Sequence, residues 1–419
     1  MRLRIKDFTT KVGSGVTPRG GAETYLEQGI PLFRSQNVLN NGFLMDDIAY
    51  ISEEVDESMS NTRVKAGDVL LNITGASIGR CYYTSDSFER GNVNQHVCII
   101  RPKKNIVMPA YLHYCMISDE GQEQIELTQT GANREGLAVE DIKGFSFDIP
   151  SLPDQRRIVD YLDAKTGAID RRMELLGKKQ DAYVRLKAAT INRAVTRGLD
   201  EHVKMKDSGV EWIGRIPEHW EVKRIKELCP FVSRGATPDY VDESEYKVMN
   251  QAVFSTGIIN HAIVRYSSTM KPESKIKKGD LLIASTGGGI LGKLLFFEDK
   301  DENFYADTHV TIVRNEKGTF NTKYLYYLFS ISYDMINACM AKGSTNQTEL
   351  QRDKLISFEL AVPPLSEQQA IASYLDERCA KIDAAIAVVD KQVDALRRLK
   401  RALINEVVTG RRTVPILDE

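Results

Sequence analysis

Residues Gly287-Gly-Gly289-Ile-Leu-Gly292-Lys293 come nearest to a phosphate-cradling loop. Such a loop needs a hydroxyl at its last position to ligate magnesium, and a following helix whose amino end faces the phosphate. Here Leu294-Leu-Phe-Phe follows, a strand-like run, so a turn between two strands is the better reading. Asp239, Glu245 and Lys247 are the side-chain types of a metal-dependent nuclease, but they lie too close along the chain to come from separate strands. No Asn-Pro-Pro-Tyr or Asp-Pro-Pro-Tyr stretch could hold a target amino group, no glycine loop suits S-adenosylmethionine, and there is no His-Glu-x-x-His. Among six histidines, His96 and His309 stand out because they recur at matching places in the chain; a packed or hydrogen-bonded ring at a strand start is expected for both. Six cysteines form no Cys-x-x-Cys pair and no Cys/His cluster, so they read as reduced, mostly packed thiols. No complete active site emerges.

The elements that carry these residues repeat. At an offset of about 213, Val64-Lys-Ala-Gly-Asp-Val-Leu-Leu, Ile73-Thr-Gly and Ile78-Gly-Arg return as Ile276-Lys-Lys-Gly-Asp-Leu-Leu-Ile, Ser285-Thr-Gly and Leu291-Gly-Lys. Gly15-Val-Thr-Pro returns as Gly235-Ala-Thr-Pro, Gln95-His-Val as Thr308-His-Val, and Arg101 as Arg314. Each half closes on the same string: Gln155, Ile158, Tyr161-Leu-Asp and Ile169-Asp match Gln368, Ile371, Tyr374-Leu-Asp and Ile382-Asp. The chain is a tandem duplication.

Within each half the periodicity changes once. Asp68-Val-Leu-Leu-Asn-Ile, His96-Val-Cys-Ile-Ile and His309-Val-Thr-Ile-Val read as strands between Gly, Asn and Pro clusters, while Tyr111 to Thr128 and Thr322 to Ala341 have helical spacing. Each globular part is therefore a mixed α/β domain. After Pro153 and Pro364 a long, glycine-poor, charged pattern begins. Leu375, Ile382, Val389, Leu396 and Leu403 recur every seven residues, and Leu162, Ile169, Leu176 and Tyr183 repeat the seam in the first copy. The predicted fold class is α+β: a duplicated mixed α/β domain followed by a long helix, the two helices pairing as an antiparallel coiled coil. The expected limits are 1–152, helix 153–200, second domain 201–363 with a lead-in segment over 201–218, helix 364–412, and a tail over 413–419.

The chain carries 56 Lys+Arg against 58 Asp+Glu, a net charge of −2, which argues against a strong solitary nucleic-acid binder. By segment, 1–153 is −5 and 201–363 is −1, whereas 154–200 is +4 through residues such as Arg156, Arg157, Arg171, Arg172, Lys178 and Lys179. No apolar run approaches the ~18 residues that span a bilayer, and the start has no hydrophobic signal region, so no membrane role and a cytoplasmic location are expected.

Three stretches carry a specific resemblance: Asp207-Ser-Gly-Val-Glu-Trp-Ile-Gly-Arg-Ile-Pro-Glu-His-Trp-Glu-Val-Lys-Arg, Val362-Pro-Pro-Leu-Ser-Glu-Gln-Gln-Ala-Ile and Ile149-Pro-Ser-Leu-Pro-Asp-Gln-Arg-Arg-Ile. Together with the order domain, helix, domain, helix, they resemble the specificity subunit of type I restriction-modification enzymes over essentially the whole chain. That resemblance implies a non-catalytic subunit that reads a bipartite, interrupted sequence in double-stranded DNA. It also implies two methyltransferase subunits and restriction subunits as partners, which would hold S-adenosylmethionine and ATP, this chain holding no cofactor and no metal. The competing readings are an orphan DNA-binding or protein adaptor and a stand-alone nuclease.

Base edges are read by Arg, Asn, Gln, Ser and Thr side chains, so the places where the halves diverge inside matched frames are the DNA-binding candidates. In the first half these are Arg34, Ser35, Gln36, Asn37, Ser77, Arg80, Asn94, Gln95, Asn133 and Arg134; in the second, Asn250, Gln251, Lys293, Thr308, Thr345, Asn346 and Gln347. The plain alternative for each is a polar turn residue bonded to its own backbone. On the helices, Arg156, Arg157, Arg171, Arg172, Arg378 and Lys381 are the candidates for partner docking. Trp212 and Trp220 are expected to anchor packing rather than stack on bases.

Overall fold

A computed structural model describes residues 1–129, 136–287, 289–301, 303–342 and 348–415. The chain forms two compact units, Met1–Gly177 with Asp390–Glu419, and Lys178–Val389.

In the first unit, Thr9–Ser14, Val97–Pro102, Val69–Asn72 and Cys81–Tyr83 form an antiparallel sheet in that order. A second sheet runs Ala49–Ile51, Ile30–Phe33, Gly91–Val93, Arg63–Val64, with Ile30–Phe33 and Gly91–Val93 parallel. Successive side chains of a strand point to opposite faces, and here both faces are covered. Val69, Leu71, Cys98 and Ile100 pack with Tyr111, Leu112 and Cys115, which lie on the helix Pro109–Ile117. Leu70, Val97 and Ile99 pack against Phe33, Val64 and Val93 of the second sheet. That is why Val69–Asn72 is buried at every position and Val69, Leu70 and Leu71 are a continuous apolar run rather than an alternating one.

The second unit repeats this plan. Phe231–Arg234, Val310–Arg314, Leu281–Ala284 and Leu294–Phe296 form the first sheet, and Tyr240–Val241, Arg265–Ser267, Tyr246–Met249 and Phe304–Ala306 the second. Leu294–Phe296 is a strand, as the run after the glycine loop implied. Each region expected to be one helix is two: Pro109–Ile117 with Asp119–Gln129, and Thr322–Ser330 with Tyr333–Met340. In the first unit Ser118 is extended (φ −68, ψ 164), and its hydroxyl caps the next helix by accepting from Gly121 N. Gly15 and Gly235 recur for a steric reason. A β-carbon on either would collide with the carbonyl oxygen of Val93 or Ala306, which cross at backbone-contact distance.

The long helices are Leu152–Arg197 and Leu365–Val408. The sequence limits overshoot at the carboxyl ends because Gly198 (φ 74) and Gly410 (φ 70) take the left-handed conformation that terminates helices. In the first unit Val159 and Leu162 join Leu403, Ile404 and Val407 in the core, and Lys400 Nζ meets Asp170 at 2.7 Å. In the second, Ile191, Ala194 and Val195 join Ile371, Leu375 and Cys379, and Lys187 Nζ meets Asp383 at 2.7 Å. Residues late in one helix meet residues early in the other, so the helices run antiparallel in each unit. The seam residues Leu162, Leu176, Leu375, Ile382, Val389 and Leu403 are buried, and Ile169, Tyr183 and Leu396 are half-buried.

The repeated closing string fastens each helix to its domain. Gln155, fully buried, accepts from Met108 N at 2.8 Å and donates to the carbonyls of Ile106 and Pro150. Gln368 accepts from Asn321 N at 2.8 Å and donates to Pro363 O. Tyr114 and Tyr327 each donate to a helix carboxylate, Asp163 and Asp376, at 2.6 Å. Trp220 is fully buried with its Nε1 donating to Glu367, while Trp212 is 40% exposed and stacks on Phe358 at 4.5 Å. The six cysteines are unpaired, five of them buried and Cys339 exposed.

Candidate nucleic-acid interface

Each unit carries one polar turn at the same place in its first sheet. In the first unit the strands Val69–Asn72 and Cys81–Tyr83 are joined through Thr74 to Arg80, with Asn72 N donating to Arg80 O, Gly79 N to Asn72 O and Arg80 N to Ser77 O. In the second, Ala284 N donates to Lys293 O, Gly292 N to Ala284 O and Lys293 N to Ile290 O. One extra residue in the second loop leaves this frame intact. Beside each turn, the loop before the central strand is fixed the same way: Ile73 N donates to His96 O and Ser285 N to His309 O, at 3.0 and 2.8 Å. In both units a threonine hydroxyl then meets a histidine ring, Thr74 Oγ1 with His96 Nδ1 and Thr286 Oγ1 with His309 Nδ1, each at 2.7 Å.

The first turn forms one wall of an open groove of about 380 Å³, lined by Ser35, Gln36, Thr74, Gly75, Ala76, Ser77, Arg80 and His96. Four of the sequence candidates, Ser35, Gln36, Ser77 and Arg80, thus share a surface. Gln95 joins them, its Nε2 2.9 Å from His96 Nε2. Gln36 is held by Asp47. Three candidates serve the fold instead. Asn37 is completely buried; its amide donates to the carbonyls of Leu44 and Asp47 and its oxygen accepts from Arg34 N, so no edge is left for a base. Asn94, 7% exposed, accepts from His96 N in a local turn. Arg34 is half-buried, with its guanidinium on Asp47 O at 2.7 Å. A short polar side chain next to a strand end satisfies nearby backbone first, which is why Asn37 and Asn94 differ from the expectation, while Arg34 is held by Asp47.

In the second unit Gln251 Oε1 accepts from Thr286 Oγ1 at 3.2 Å, which places Gln251 beside the Thr–His pair. Asn250 accepts from Ala252 N and Val253 N, making its own turn. Thr308 is half-buried between Asp307 and His309, and Lys293 is exposed with its ammonium 5.3 Å from the centre of the Tyr333 ring. Asn133, Arg134, Thr345, Asn346 and Gln347 lie outside the described residues. Thr74, Thr286, His96 and His309 were not among the candidates. The two histidines stand out in the sequence by recurring and are hydrogen-bonded as expected, whereas the recurrence of Thr74 and Thr286 is a signal that a search for divergent positions passes over.

On the helices Arg156, Arg171, Arg172, Arg378 and Lys381 are exposed, and Lys381 pairs with Glu377 one turn earlier. Arg157 is half-buried and donates to Asp154 at 2.8 Å. Among the described residues no group of three or more His, Cys, Asp or Glu could hold a metal, and no helix is long and apolar enough to cross a membrane.

With this geometry, two copies of a polar turn on a duplicated frame, the comparisons with known proteins agree. The profile of the type I restriction modification DNA specificity domain matches twice, over residues 2–176 and 217–386, which is most of the chain. This chain belongs to that specificity family. The MjaVIII specificity subunit of Methanocaldococcus jannaschii is 25% identical over 98% of this chain and 92% of its own length. The EcoKI specificity subunit of Escherichia coli K12 is 21% identical over 98% of this chain and 88% of its own. The fold is shared with a solved chain from a study of complex assembly and conformational transition of the type I R-M system (TM-score 0.77, 17% identity, 98% of each chain). It is also shared with the HsdS subunit of Thermoanaerobacter tengcongensis (TM-score 0.52, 16% identity, 98% and 97%). The chain is a type I DNA specificity subunit with two recognition domains in tandem.

Proposed function

We propose that each recognition domain of this specificity subunit reads one half of an interrupted duplex DNA target through its turn. In this reading the chain itself performs no chemistry. Two methyltransferase subunits, and restriction subunits with them, dock on the long helices through side chains such as Arg156, Arg171, Arg172, Arg378 and Lys381. S-adenosylmethionine and ATP are used by those partners, and the assembly works on cytoplasmic DNA. The observation that carries the reading is the pair of turns: one backbone frame, lined by Ser35, Gln36 and Ser77 with Gln95 on His96 in one domain, and with Gln251 on Thr286 in the other. A common frame with different polar side chains suits two different half-sites. The charge balance fits a shared task. Domains of −5 and −1 grip phosphates weakly on their own, so the partners supply much of the backbone affinity.

The test is to co-express the chain with its cognate methyltransferase subunit in a host lacking other methylation and map modified bases genome-wide. A two-part motif with a fixed gap is expected, and replacing residues 1–152 by another member's first domain changes one part only. Absence of a motif, or a change in both parts, contradicts the proposal.

A further inference from the structure

The two turns differ where different half-sites would require it, yet three groups do not differ in kind. Thr74 and Thr286 hold the rings of His96 and His309 at 2.7 Å, and one cation, Arg80 or Lys293, closes each turn. The backbone fixes their arrangement. Asn72 pairs with Arg80 and the next residue, Ile73, with His96; Ala284 pairs with Lys293 and the next residue, Ser285, with His309. The carbonyls of cation and histidine are therefore bonded to consecutive residues at the end of the same strand, from its two sides, in both domains.

Residues kept in two domains that read different sequences should touch what the two half-sites have in common, which is the sugar-phosphate backbone. The exchange of Arg for Lys points the same way. Arg and Lys meet a guanine edge with different geometry, a planar fork and a point charge, whereas a phosphate accepts either. The second domain also sets the ring's protons. Thr286 Oγ1 donates to Gln251 Oε1, so it accepts from His309 Nδ1–H, and the ring braces the turn with its Nε2 left as an acceptor. In the first domain the Gln95 amide nitrogen donates to His96 Nε2 at 2.9 Å, so there too the outer ring nitrogen accepts and Nδ1–H faces Thr74.

We infer that Arg80 in the first domain and Lys293 in the second are one phosphate grip used twice, each on a turn braced by its Thr–His pair, Thr74 with His96 and Thr286 with His309. It sets each domain's register on the DNA backbone, while Ser35, Gln36, Ser77 and Gln95, and Gln251 and Thr308, face the bases. This inference rests on the DNA-reading function above. It moves Arg80 and Lys293 from base readers to positioning residues.

The test uses the full chain in complex with its methyltransferase subunit. Dissociation constants are measured for the cognate duplex and for duplexes altered in either half-site, over a salt series, with His96→Gln, His309→Gln, Arg80→Gln and Lys293→Gln. Arg80 and Lys293 are exposed, so their variants keep the fold. Each cation variant is expected to bind every duplex roughly ten-fold weaker by the same factor, and each histidine variant, which loosens the turn, to weaken binding with the salt slope unchanged. Each cation variant should also lower the slope of log K against log salt by about one, with the methylated motif unchanged. Relaxed discrimination at one position of one half-site would show that the residue reads a base and overturn the inference, as would unchanged affinity and slope. If the wild-type complex prefers no bipartite duplex, the DNA-reading function itself fails, a distinguishable outcome.

Discussion

Removing Arg314 should unfold the second domain's frame more than any surface change. Arg314 is 9% exposed and Asp280 1%; two hydrogen bonds of 2.7 and 2.6 Å join them, and the guanidinium also donates to Lys275 O at 2.8 Å. Arg314→Leu leaves the Asp280 carboxylate with Lys277 N, at 2.7 Å, as its remaining donor and no counter-charge. An uncompensated buried charge costs about 3–5 kcal/mol. At about 2–4 °C per kcal/mol for a domain of this size, the melting temperature should fall by roughly 6–20 °C. The double variant Arg314→Leu with Asp280→Asn removes the stranded charge and should recover part of the loss. Arg101→Leu should cost less than Arg314→Leu, because the Arg101 side chain is 22% exposed and water can replace part of its bonding to Asp68. The readout is thermal and urea denaturation of the full chain, combined as a double-mutant cycle. A loss below about 1 kcal/mol for Arg314→Leu, or additive effects in the cycle, refutes the argument. The pair matters to function because Leu281–Ala284 and Val310–Arg314, the strands it clasps at one end, present Thr286 and His309 beyond the other.

Gly235→Ala should destabilise by about 1–3 kcal/mol or more, because the new methyl meets backbone, which cannot rotate away; denaturation midpoints check it, and a neutral effect contradicts the steric account. Burial pushes His113 down to about 3, so the ring is neutral in the fold and the unfolded chain binds the extra proton. Stability should therefore fall as pH drops below the unfolded value of 6.5, by about 2 kcal/mol at pH 5, and His113→Phe should flatten that dependence in urea titrations at pH 7 and 5. Gln155→Leu and Gln368→Leu each leave buried backbone groups unpaired and should cost about 1–3 kcal/mol; hydrogen exchange at Met108 and Asn321, whose amides they accept, should accelerate locally.

Much of the architecture was legible because the chain is duplicated. Gly15 with Gly235, Gln155 with Gln368 and Arg101 with Arg314 recur for reasons of sterics, satisfied hydrogen bonds and buried charge, and each is a constraint the sequence displays twice. The heptad spacing of Leu375 to Leu403 located the helices because a buried stripe must repeat about every 3.5 residues. The groove was less legible. Divergence between the halves selected Ser35, Gln36, Ser77, Arg80 and Gln95, which do share a surface, but it also selected Asn37, whose side chain is spent inside the turn. Composition and spacing determine which polar residues are available, and whether a side chain turns outward or bonds its own backbone depends on which carbonyls the fold brings within reach. That choice, and the meeting of Thr74 with His96 and of Thr286 with His309 across more than twenty residues of chain, belonged to the tertiary structure alone, because strand register sets which distant residues come within hydrogen-bond distance.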